Sequence, residues 1–464
     1  MTDSITTRPA SHKLVQNQQT GVVGTLVVTD MLGILGLVAI LAISTSFLFF
    51  QHFHDFYSPD SASYVVPAGN ILAGYGFVNS AGYPETERTP GYSLFILPFL
   101  WMHLDLKYLI IFQHLARALI VLGTTIFAFR VTRSSRAALL TGVLLSLDLP
   151  FLESANSVLT EILFTATLAV VVLLLWTESG ESKKPGIYCF TAGLLAGASA
   201  LIRPVNMLFF VPATLYLLLV RRSFNLRAAV TFSLAFVILP LSWAIRNYHE
   251  TGYFGVSTIS GEHILLYGAA GALAINDSGD FSANLERRQV QLQAQACDDI
   301  RTRYGSDCSQ VTIPRKSEYD SLLGRTIIEA HPLAYAKVVL RGDAEMILGG
   351  GLVRLRKMTG TSAHVGMILM LICTIPVFCF ASMGLLVLWK NNRRLSMLIL
   401  LVIFYFLAIS GGPGSDSRFR VPVVPLYAFA AAVGLDFSLK RLLARNELNR
   451  CLATDSPQVR NDQA

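Results

Sequence analysis

The sequence predicts an all-α protein that crosses a membrane about ten times. This fold class follows first from composition, because 53% of the 464 residues are hydrophobic and only 14% are charged. Soluble globular proteins carry roughly 25% charged residues, so a soluble domain is excluded. The second observation is a mean hydropathy of +0.52, which arises from repeated apolar runs along the chain.

The first span is predicted over Met31–Phe50, where about 20 apolar residues match the thickness of the hydrocarbon core. No small-residue cleavage site follows this run, so we expect an uncleaved signal anchor rather than a cleaved signal peptide. Nine further spans are predicted near 107–130, 137–151, 158–176, 187–202, 205–220, 227–246, 366–389, 395–410 and 421–439.

The formal net charge of +7 is first a topology signal, because basic residues cluster at every second connection between spans. The positive-inside rule therefore predicts that these clusters and both chain termini face the cytoplasm. The clusters are Arg130, Arg133 and Arg136; Lys183 and Lys184; Arg221, Arg222 and Arg227; and Lys390, Arg393 and Arg394. One cluster, Arg354, Arg356 and Lys357, falls outside and disobeys the rule. Basic and aromatic residues form no array typical of nucleic-acid binding, so we expect no such partner.

This topology divides the chain into five segments and leaves two large pieces outside the membrane. The segments are a cytoplasmic tail (1–30), a module of seven spans (31–246) with an outer loop at 51–106, an extracytoplasmic segment (247–365), three further spans (366–439) and a cytoplasmic tail (440–464). The apolar run Pro90–Leu104 is not counted as a span, because a crossing there would move every later basic cluster to the other side. We interpret it as an interfacial or re-entrant helix on the outer face.

The outer segment 247–365 has two further features. Tyr319–Ile347 reads as two amphipathic helices that are broken near Pro332 and lie on the membrane surface. Cys297 and Cys308 stand eleven residues apart and are candidates for a disulfide bond in an oxidising periplasm. The alternative for this pair is two free thiols.

Polar residues that are unusual in a membrane protein gather at the predicted outer ends of the spans. Charges near a bilayer are costly unless they reach water or a partner, so their convergence indicates a site, whereas each one alone is an ordinary charge at a helix end. Arginine recognises phosphate oxygens and a carboxylate acts as a general base, which together suit a lipid-linked phosphate beside a reacting hydroxyl. The residues are Asp55, Asp60, Glu87, Arg88, Glu161, Arg203, Arg246, Asn247, Arg418 and Arg420.

The stretch "SPDSASYVVPAGNILAGYGF", followed by "ERTPGYSLFILPF", resembles the first outer loop of the GT-C membrane glycosyltransferases. The similarity is to the bacterial group related to dolichyl-phosphate-mannose protein mannosyltransferases and lipid A aminoarabinose transferases. The family pattern is an acid, a tyrosine, a short helix, a glycine-rich turn and a basic residue before proline, and the matching residues are Asp60, Tyr64, Gly74, Gly76, Arg88 and Pro90. "SLDLPFLESANSVLTEILF", "AGLLAGASALIRPVNMLFFVP", "LPLSWAIRNYHETGYFGVSTISGEHILLYG" and "SRFRVPVVP" are similar to later family segments, in family order.

This resemblance implies a GT-C-like fold with juxtamembrane helices on the outer face, and it implies residue roles by position. Asp60 is implied as the catalytic base or an essential polar anchor, and Arg88 as a ligand of the donor phosphate. We expect Arg88, together with Arg418 or Arg420, to hold the charge of the leaving phosphate. Glu161 is implied as a cavity residue that helps some members to bind a divalent metal. Further candidates are Asp55 as an alternative acid, and Tyr64, Arg203, Arg246 and Asn247 as residues that line the cavity.

Two departures from the family pattern leave metal use and donor identity open. Some members carry two adjacent acids, whereas Ser61 follows Asp60 here, and some carry Lys-Pro-Pro where this chain has Arg88-Thr89-Pro90. His263 is interpreted as a structural histidine of a loop. Gln113 and Arg117, one turn apart in the second span, are interpreted as a structural hydrogen-bonding pair inside the membrane.

The expected function is the transfer of a hexose or pentose from a polyprenyl-phosphate-linked donor to an acceptor hydroxyl. A single displacement is implied, so we expect inversion at the anomeric carbon while Asp60 takes the proton. The expected partners are the lipid-linked donor, membrane lipid, and an acceptor that is a glycan, a lipid or a protein. We expect a bacterial inner-membrane location with the active site outside the cytoplasm.

Two other function classes stay open. A transporter or lipid flippase predicts charges near mid-bilayer, broken helices and an inverted repeat, whereas the polar groups here lie at the outer ends of the spans. A non-catalytic GT-C scaffold predicts the same fold without sugar transfer. Substituting Asp60 separates these classes, because only the enzyme needs a base.

Overall fold

The structure, a computed structural model, describes residues 11–179, 186–220, 225–305, 307–349, 360 and 363–454. Part of the predicted topology depends on basic residues outside this range. These are Lys183 and Lys184, Arg221 and Arg222, and the exceptional cluster of Arg354, Arg356 and Lys357.

Most of the described residues lie in helices. In chain order, the helices are α1 (Ser11–His52), α2 (Ala62–Leu72), α3 (Pro90–Trp101), α4 (Leu106–Thr132), α5 (Ser135–Leu147), α6 (Leu149–Ala155), α7 (Glu161–Ser179), α8 (Ile187–Ile202), α9 (Phe210–Leu219), α10 (Leu226–Thr251), α11 (Ile259–His263), α12 (Ala270–Ala274), α13 (Phe281–Tyr304), α14 (Ile313–Ala330), α15 (Pro332–Leu348), α16 (Ala363–Asn391), α17 (Arg393–Ser410) and α18 (Val424–Thr454). Three 3₁₀ turns cover Pro204–Leu208, Cys308–Gln310 and Ser417–Val423, and a π-helix covers Ile264–Ala269.

Within the described part of the chain, seven helices are long and apolar enough to cross a membrane, and the bent pair α5 and α6 makes an eighth if it counts as one span. The chain is therefore a multi-pass membrane protein. The two other predicted spans, 187–202 and 205–220, correspond to apolar helices of fewer than 18 residues. Gly193 and Gly197 of α8 lie directly against the carbonyl groups of Phe232 and Phe236 in α10. Small residues allow this close packing of two backbones inside a membrane.

The predicted span 137–151 is divided into α5 and α6, which meet at an angle of 57°. Asp148 ends the first helix and accepts a hydrogen bond from the amide of Phe151, so it is the N-cap of the second. Pro150 stands in the first turn of α6, where a missing N–H costs nothing. This break turns the chain back toward the bundle and places the following loop beside α4.

Polar side chains of α4 hold the broken span in place. Arg117 is fully buried and donates to the carbonyl oxygens of Leu145 and Ser146 at the end of α5, and to that of Ala42 at 2.8 Å. Gln113 donates to the carbonyl oxygen of Ser157 at 2.7 Å. These interactions satisfy carbonyl groups that the break leaves without helical partners. Gln113 and Arg117 thus form a clamp: each side chain of α4 bonds to backbone carbonyl groups of neighbouring segments and holds them against α4.

Replacing Arg117 by leucine is expected to lower the free energy of unfolding by roughly 3 kcal/mol, because several buried acceptors lose their donor at once. Thermal unfolding in detergent, followed by intrinsic fluorescence, measures the effect. Arg130→Leu is the matched control, because Arg130 lies on the same helix with an exposed side chain. Equal melting temperatures for the two variants would contradict the clamp.

The segment 259–348 forms a small helical layer at the end of the bundle where α10 ends. Its core contains Leu265, Ala269 and Ala270 of the π-helix region, packed against Leu292 and Ala296 of α13. A disulfide bond joins Cys297 to Cys308. The predicted amphipathic pair is present as α14 and α15, which are separated at His331 directly before Pro332.

Candidate active site

A polar cavity of about 220 Å³ lies where several distant parts of the chain meet. Its walls come from the first outer loop, the start of α7, the end of α8, the α11–π-helix segment and the 3₁₀ turn Ser417–Val423. Seven of the predicted site residues line it: Asp60, Tyr64, Glu87, Arg88, Glu161, Arg203 and Arg418. The cavity brings together groups that lie up to 358 residues apart in sequence.

Asp60 is held by two arginines, one on each carboxylate oxygen. Arg88 Nη2 lies 2.9 Å from Oδ1, and Arg418 Nη1 lies 3.0 Å from Oδ2. Burial alone would raise the pKa of the Asp60 carboxyl, but the two guanidinium groups outweigh burial and lower that pKa below its ordinary value. Asp60 is therefore ionised at neutral pH and paired on both sides.

Glu161, the first residue of α7, forms the second carboxylate of the cavity. Its Oε1 lies 2.8 Å from Arg203 Nη1 and 3.4 Å from Arg418 Nε. The Glu161 side chain is only 2% exposed, and its Oε2 has no hydrogen-bond partner among the described residues. Arg418 thus bridges both carboxylates. Three guanidinium groups pair with these two carboxylates, and the carboxyl groups of Glu87 and Glu262 also line the cavity.

The first outer loop positions Arg88 through hydrogen bonds to its own backbone. The buried Glu85 accepts from the amides of Glu87 and Arg88 through Oε1, at 2.6 and 3.0 Å. Arg246, at the end of α10, donates to the carbonyl oxygens of Glu85 and Phe77. The Arg88 guanidinium also lies over the ring of Tyr64, 5.3 Å from its centre. These bonds fix the backbone of residues 77–88, and this fixed backbone positions the Arg88 side chain in the cavity.

A short 3₁₀ turn presents Arg418 while directing Arg420 elsewhere. Asp416 caps the turn by accepting from the Arg418 amide at 2.8 Å. Arg420 is buried and donates to the carbonyl oxygens of Met346 and Ile347 at the end of α15. With about three residues per turn, side chains two positions apart point in different directions.

Four predicted site residues do not line the cavity. Asp55 has an exposed side chain on the first outer loop. Arg420 holds α15, and Arg246 braces the first outer loop. Asn247 donates to the carbonyl oxygen of Gly255 and secures the turn after α10. These three buried or half-buried residues have structural partners instead of facing the cavity.

The cavity also contains residues that the sequence did not mark as its lining. Glu262, His263 and Tyr267 enter from α11 and the π-helix, so His263 lines the cavity although it was interpreted as a loop histidine. Glu87, one of the polar residues from which the sequence predicted a site, also lines the cavity, and its pKa is raised by burial and by the neighbouring carboxylates of Glu85 and Glu262. π-Helices occur often at functional sites, but no local sequence pattern announces one.

The donor set of the cavity does not fit a divalent metal. A group of three or more His, Cys, Asp or Glu residues with metal-binding geometry is not found in the part of the chain that the structure describes. Both oxygens of Asp60 and one oxygen of Glu161 are engaged by guanidinium groups. The positive charges that a metal would supply are already present as arginines.

An apolar groove of about 410 Å³ adjoins the polar cavity. The two share Pro204, which lines both. The groove lies between the 204–210 segment and α10, and its lining includes Met207, Phe210, Phe236 and Leu241. A charged cavity and an apolar groove therefore stand side by side at one end of the bundle.

The fold has known counterparts among solved structures. The chain matches the archaeal oligosaccharyltransferase AglB from Archaeoglobus fulgidus, in complex with an inhibitory peptide and a dolichol-phosphate, with 14% identity and a TM-score of 0.50, covering 94% of this chain and 52% of that one. The same enzyme in its apo form matches with 13% identity and a TM-score of 0.50, covering 91% and 52%. ArnT from Cupriavidus metallidurans, bound to undecaprenyl phosphate, matches with 13% identity and a TM-score of 0.40, covering 86% and 77%.

No protein-family model and no curated protein matches the chain. The chain spans about half the length of the oligosaccharyltransferase that it matches. At this level of identity, the likeness concerns the arrangement of helices. It confirms the expected fold class: the chain has a GT-C-like arrangement of membrane helices.

Proposed function

We propose that the protein is an integral membrane glycosyltransferase that transfers a sugar from a polyprenyl-phosphate-linked donor to an acceptor hydroxyl. One observation carries this proposal: three guanidinium groups and two carboxylates meet in one cavity, directly beside an apolar groove. The first set suits a phosphate and a proton transfer, and the groove suits an apolar tail. A transporter needs no base at this position.

The donor binds through its phosphate and its lipid tail. Arg88 and Arg418 present guanidinium groups to the cavity, and a guanidinium fork matches two phosphate oxygens. From there, the first isoprene units follow the groove past Pro204 toward Phe210 and Phe236. The AglB structure with a dolichol-phosphate supports a lipid phosphate as the ligand of this fold.

The reaction is a single displacement at the anomeric carbon. The acceptor oxygen forms a new bond to this carbon from the face opposite the phosphate, and the bond to the phosphate oxygen breaks. The electron pair leaves with the polyprenyl phosphate, whose charge is held by Arg88 and Arg418. Asp60 takes the proton of the acceptor hydroxyl, because a free hydroxyl is too weak a nucleophile. This mechanism inverts the configuration of the sugar.

The membrane orientation in this proposal follows the charge pattern of the sequence. The termini lie in the cytoplasm of a bacterial cell, and the cavity opens at the outer face of the inner membrane. Helix α11 and the π-helix then cover the cavity from the periplasm and contact the acceptor, which is a glycan, a lipid or a protein.

Removing divalent metals is expected to leave the rate of transfer unchanged within about twofold, because arginines supply the positive charge that a metal would otherwise provide. Initial rates with purified protein before and after treatment with EDTA measure this. A loss of activity that magnesium or manganese restores would contradict the arrangement described for Asp60 and Glu161.

A deletion strain tests the proposed function. We expect one sugar to disappear from an envelope glycan, as measured by mass spectrometry, while the lipid-linked donor of that sugar accumulates. The wild-type gene restores the glycan, and Asp60→Asn does not, although the variant is present in the membrane at equal amounts. Restoration by Asp60→Asn would contradict the assignment of Asp60 as the base.

A further inference from the structure

The arginines that suit the donor phosphate are the same ones that hold Asp60. Arg88 and Arg418 each bond one oxygen of the Asp60 carboxylate. A carboxylate with both oxygens bound by cations is a weak base, and the pKa of Asp60 is accordingly lowered. The proposed function, on which this inference rests, therefore needs Asp60 to lose these partners before it accepts a proton.

The ion pairs of the cavity differ in how easily they can exchange partners. The side chains of Asp60, Arg88 and Arg418 are 32%, 22% and 29% exposed, so their pairs face the cavity and water. Glu161 and Arg203 are 2% and 13% exposed, so their pair lies in the wall. An anion that enters the cavity thus competes with Asp60, whereas Glu161 keeps Arg203 and stays in place.

We propose that the donor phosphate displaces Asp60 from Arg88 and Arg418, so that the catalytic base becomes free only after the donor has bound. A phosphate offers its oxygens to both guanidinium forks, and the charge-assisted bonds to Asp60 are exchanged for bonds to the donor. The freed carboxylate keeps its negative charge but loses its two stabilising cations, so its affinity for a proton rises.

This exchange imposes an order on the two substrates. An acceptor that enters first meets a carboxylate neutralised by arginines, and its hydroxyl is not activated. When the donor enters first, its phosphate binds Arg88 and Arg418. The Asp60 carboxylate is then released beside the anomeric carbon of the donor and is able to act as the base. The Glu161–Arg203 pair holds the wall and, through Arg418 Nε, limits how far Arg418 moves during the exchange.

Binding of undecaprenyl phosphate to Asp60→Asn tests the exchange. Asparagine has nearly the same shape but no charge to hold the arginines, so the dissociation constant is expected to fall by about tenfold or more relative to wild type. Isothermal titration calorimetry of the full chain in detergent measures it. Asp55→Asn is the matched control, because it removes one negative charge from the same loop without touching either arginine, and its affinity should equal that of wild type.

The outcomes separate this inference from the proposed function. Tighter binding by Asp60→Asn, and by Asp60→Ala as a second variant, supports the exchange. Equal or weaker binding by both variants overturns it, because Asp60 then orients the arginines for the phosphate instead of competing for them. Equal tightening by Asp55→Asn also overturns it, since a general charge effect is then sufficient. If the folded wild-type protein and all variants fail to bind undecaprenyl phosphate, the proposed donor is wrong.

Discussion

Asp60→Asn is expected to lower the rate of sugar transfer by about 10²- to 10⁴-fold at saturating donor. The loss arises in the chemical step, because the amide cannot take the proton of the acceptor hydroxyl. The measurement is the initial rate of transfer from a polyprenyl-phosphate sugar by purified protein in lipid. Loss of rate together with tighter binding of the lipid phosphate is a combination that an unfolded variant cannot produce.

Two further variants, Asp55→Asn and Glu87→Gln, show whether the loss of transfer is specific to Asp60. Asp55→Asn should transfer sugar at the wild-type rate, because the Asp55 side chain is exposed and does not line the cavity. Glu87→Gln tests another carboxyl group of the cavity wall, whose raised pKa makes it a competitor for the role of base. Should Glu87→Gln abolish transfer while Asp60→Asn retains it, the assignment of the base moves to Glu87.

Arg418→Gln is expected to lower kcat/KM for the donor by about 10²- to 10³-fold, which is the usual effect of removing one group that stabilises developing negative charge. Arg418 contacts Asp60 and Glu161 and is one of the two arginines that we propose to face the leaving phosphate. Its loss affects donor binding and the departure of the phosphate together. Steady-state kinetics with varied donor and constant acceptor measure the change.

Arg420→Gln is the matched control for this experiment, because it lies on the same 3₁₀ turn and carries the same charge. Arg420 donates to Met346 and Ile347 at the end of α15 and does not line the cavity. We expect a lower melting temperature for Arg420→Gln and a kcat/KM for the donor near that of wild type. A loss of donor use as large as that of Arg418→Gln would show that the charge of the turn, rather than the position of Arg418, matters.

The membrane character of this chain is a local property, and the sequence predicts it well. Apolar runs mark helices wherever they are long enough, so α4, α7, α10 and α17 lie where hydropathy places them. The first outer loop is similarly informative, because its acid, aromatic residues and glycines stand close together in the chain. The break at Asp148 was not predicted, since Asp148 and Pro150 within an apolar run do not by themselves distinguish a bent span from a straight one.

Charge and hydropathy along the chain thus determined that this protein is a bundle of membrane helices with polar groups near the ends of its spans. Only the tertiary structure decided which groups meet. Arg418 lines the cavity, whereas Arg420 does not. Arg246 and Asn247 form hydrogen bonds to neighbouring loops. The cavity also contains Glu262, His263 and Tyr267. The physical reason is that side-chain direction depends on the helix type at each turn and on packing between distant segments, neither of which a linear pattern records.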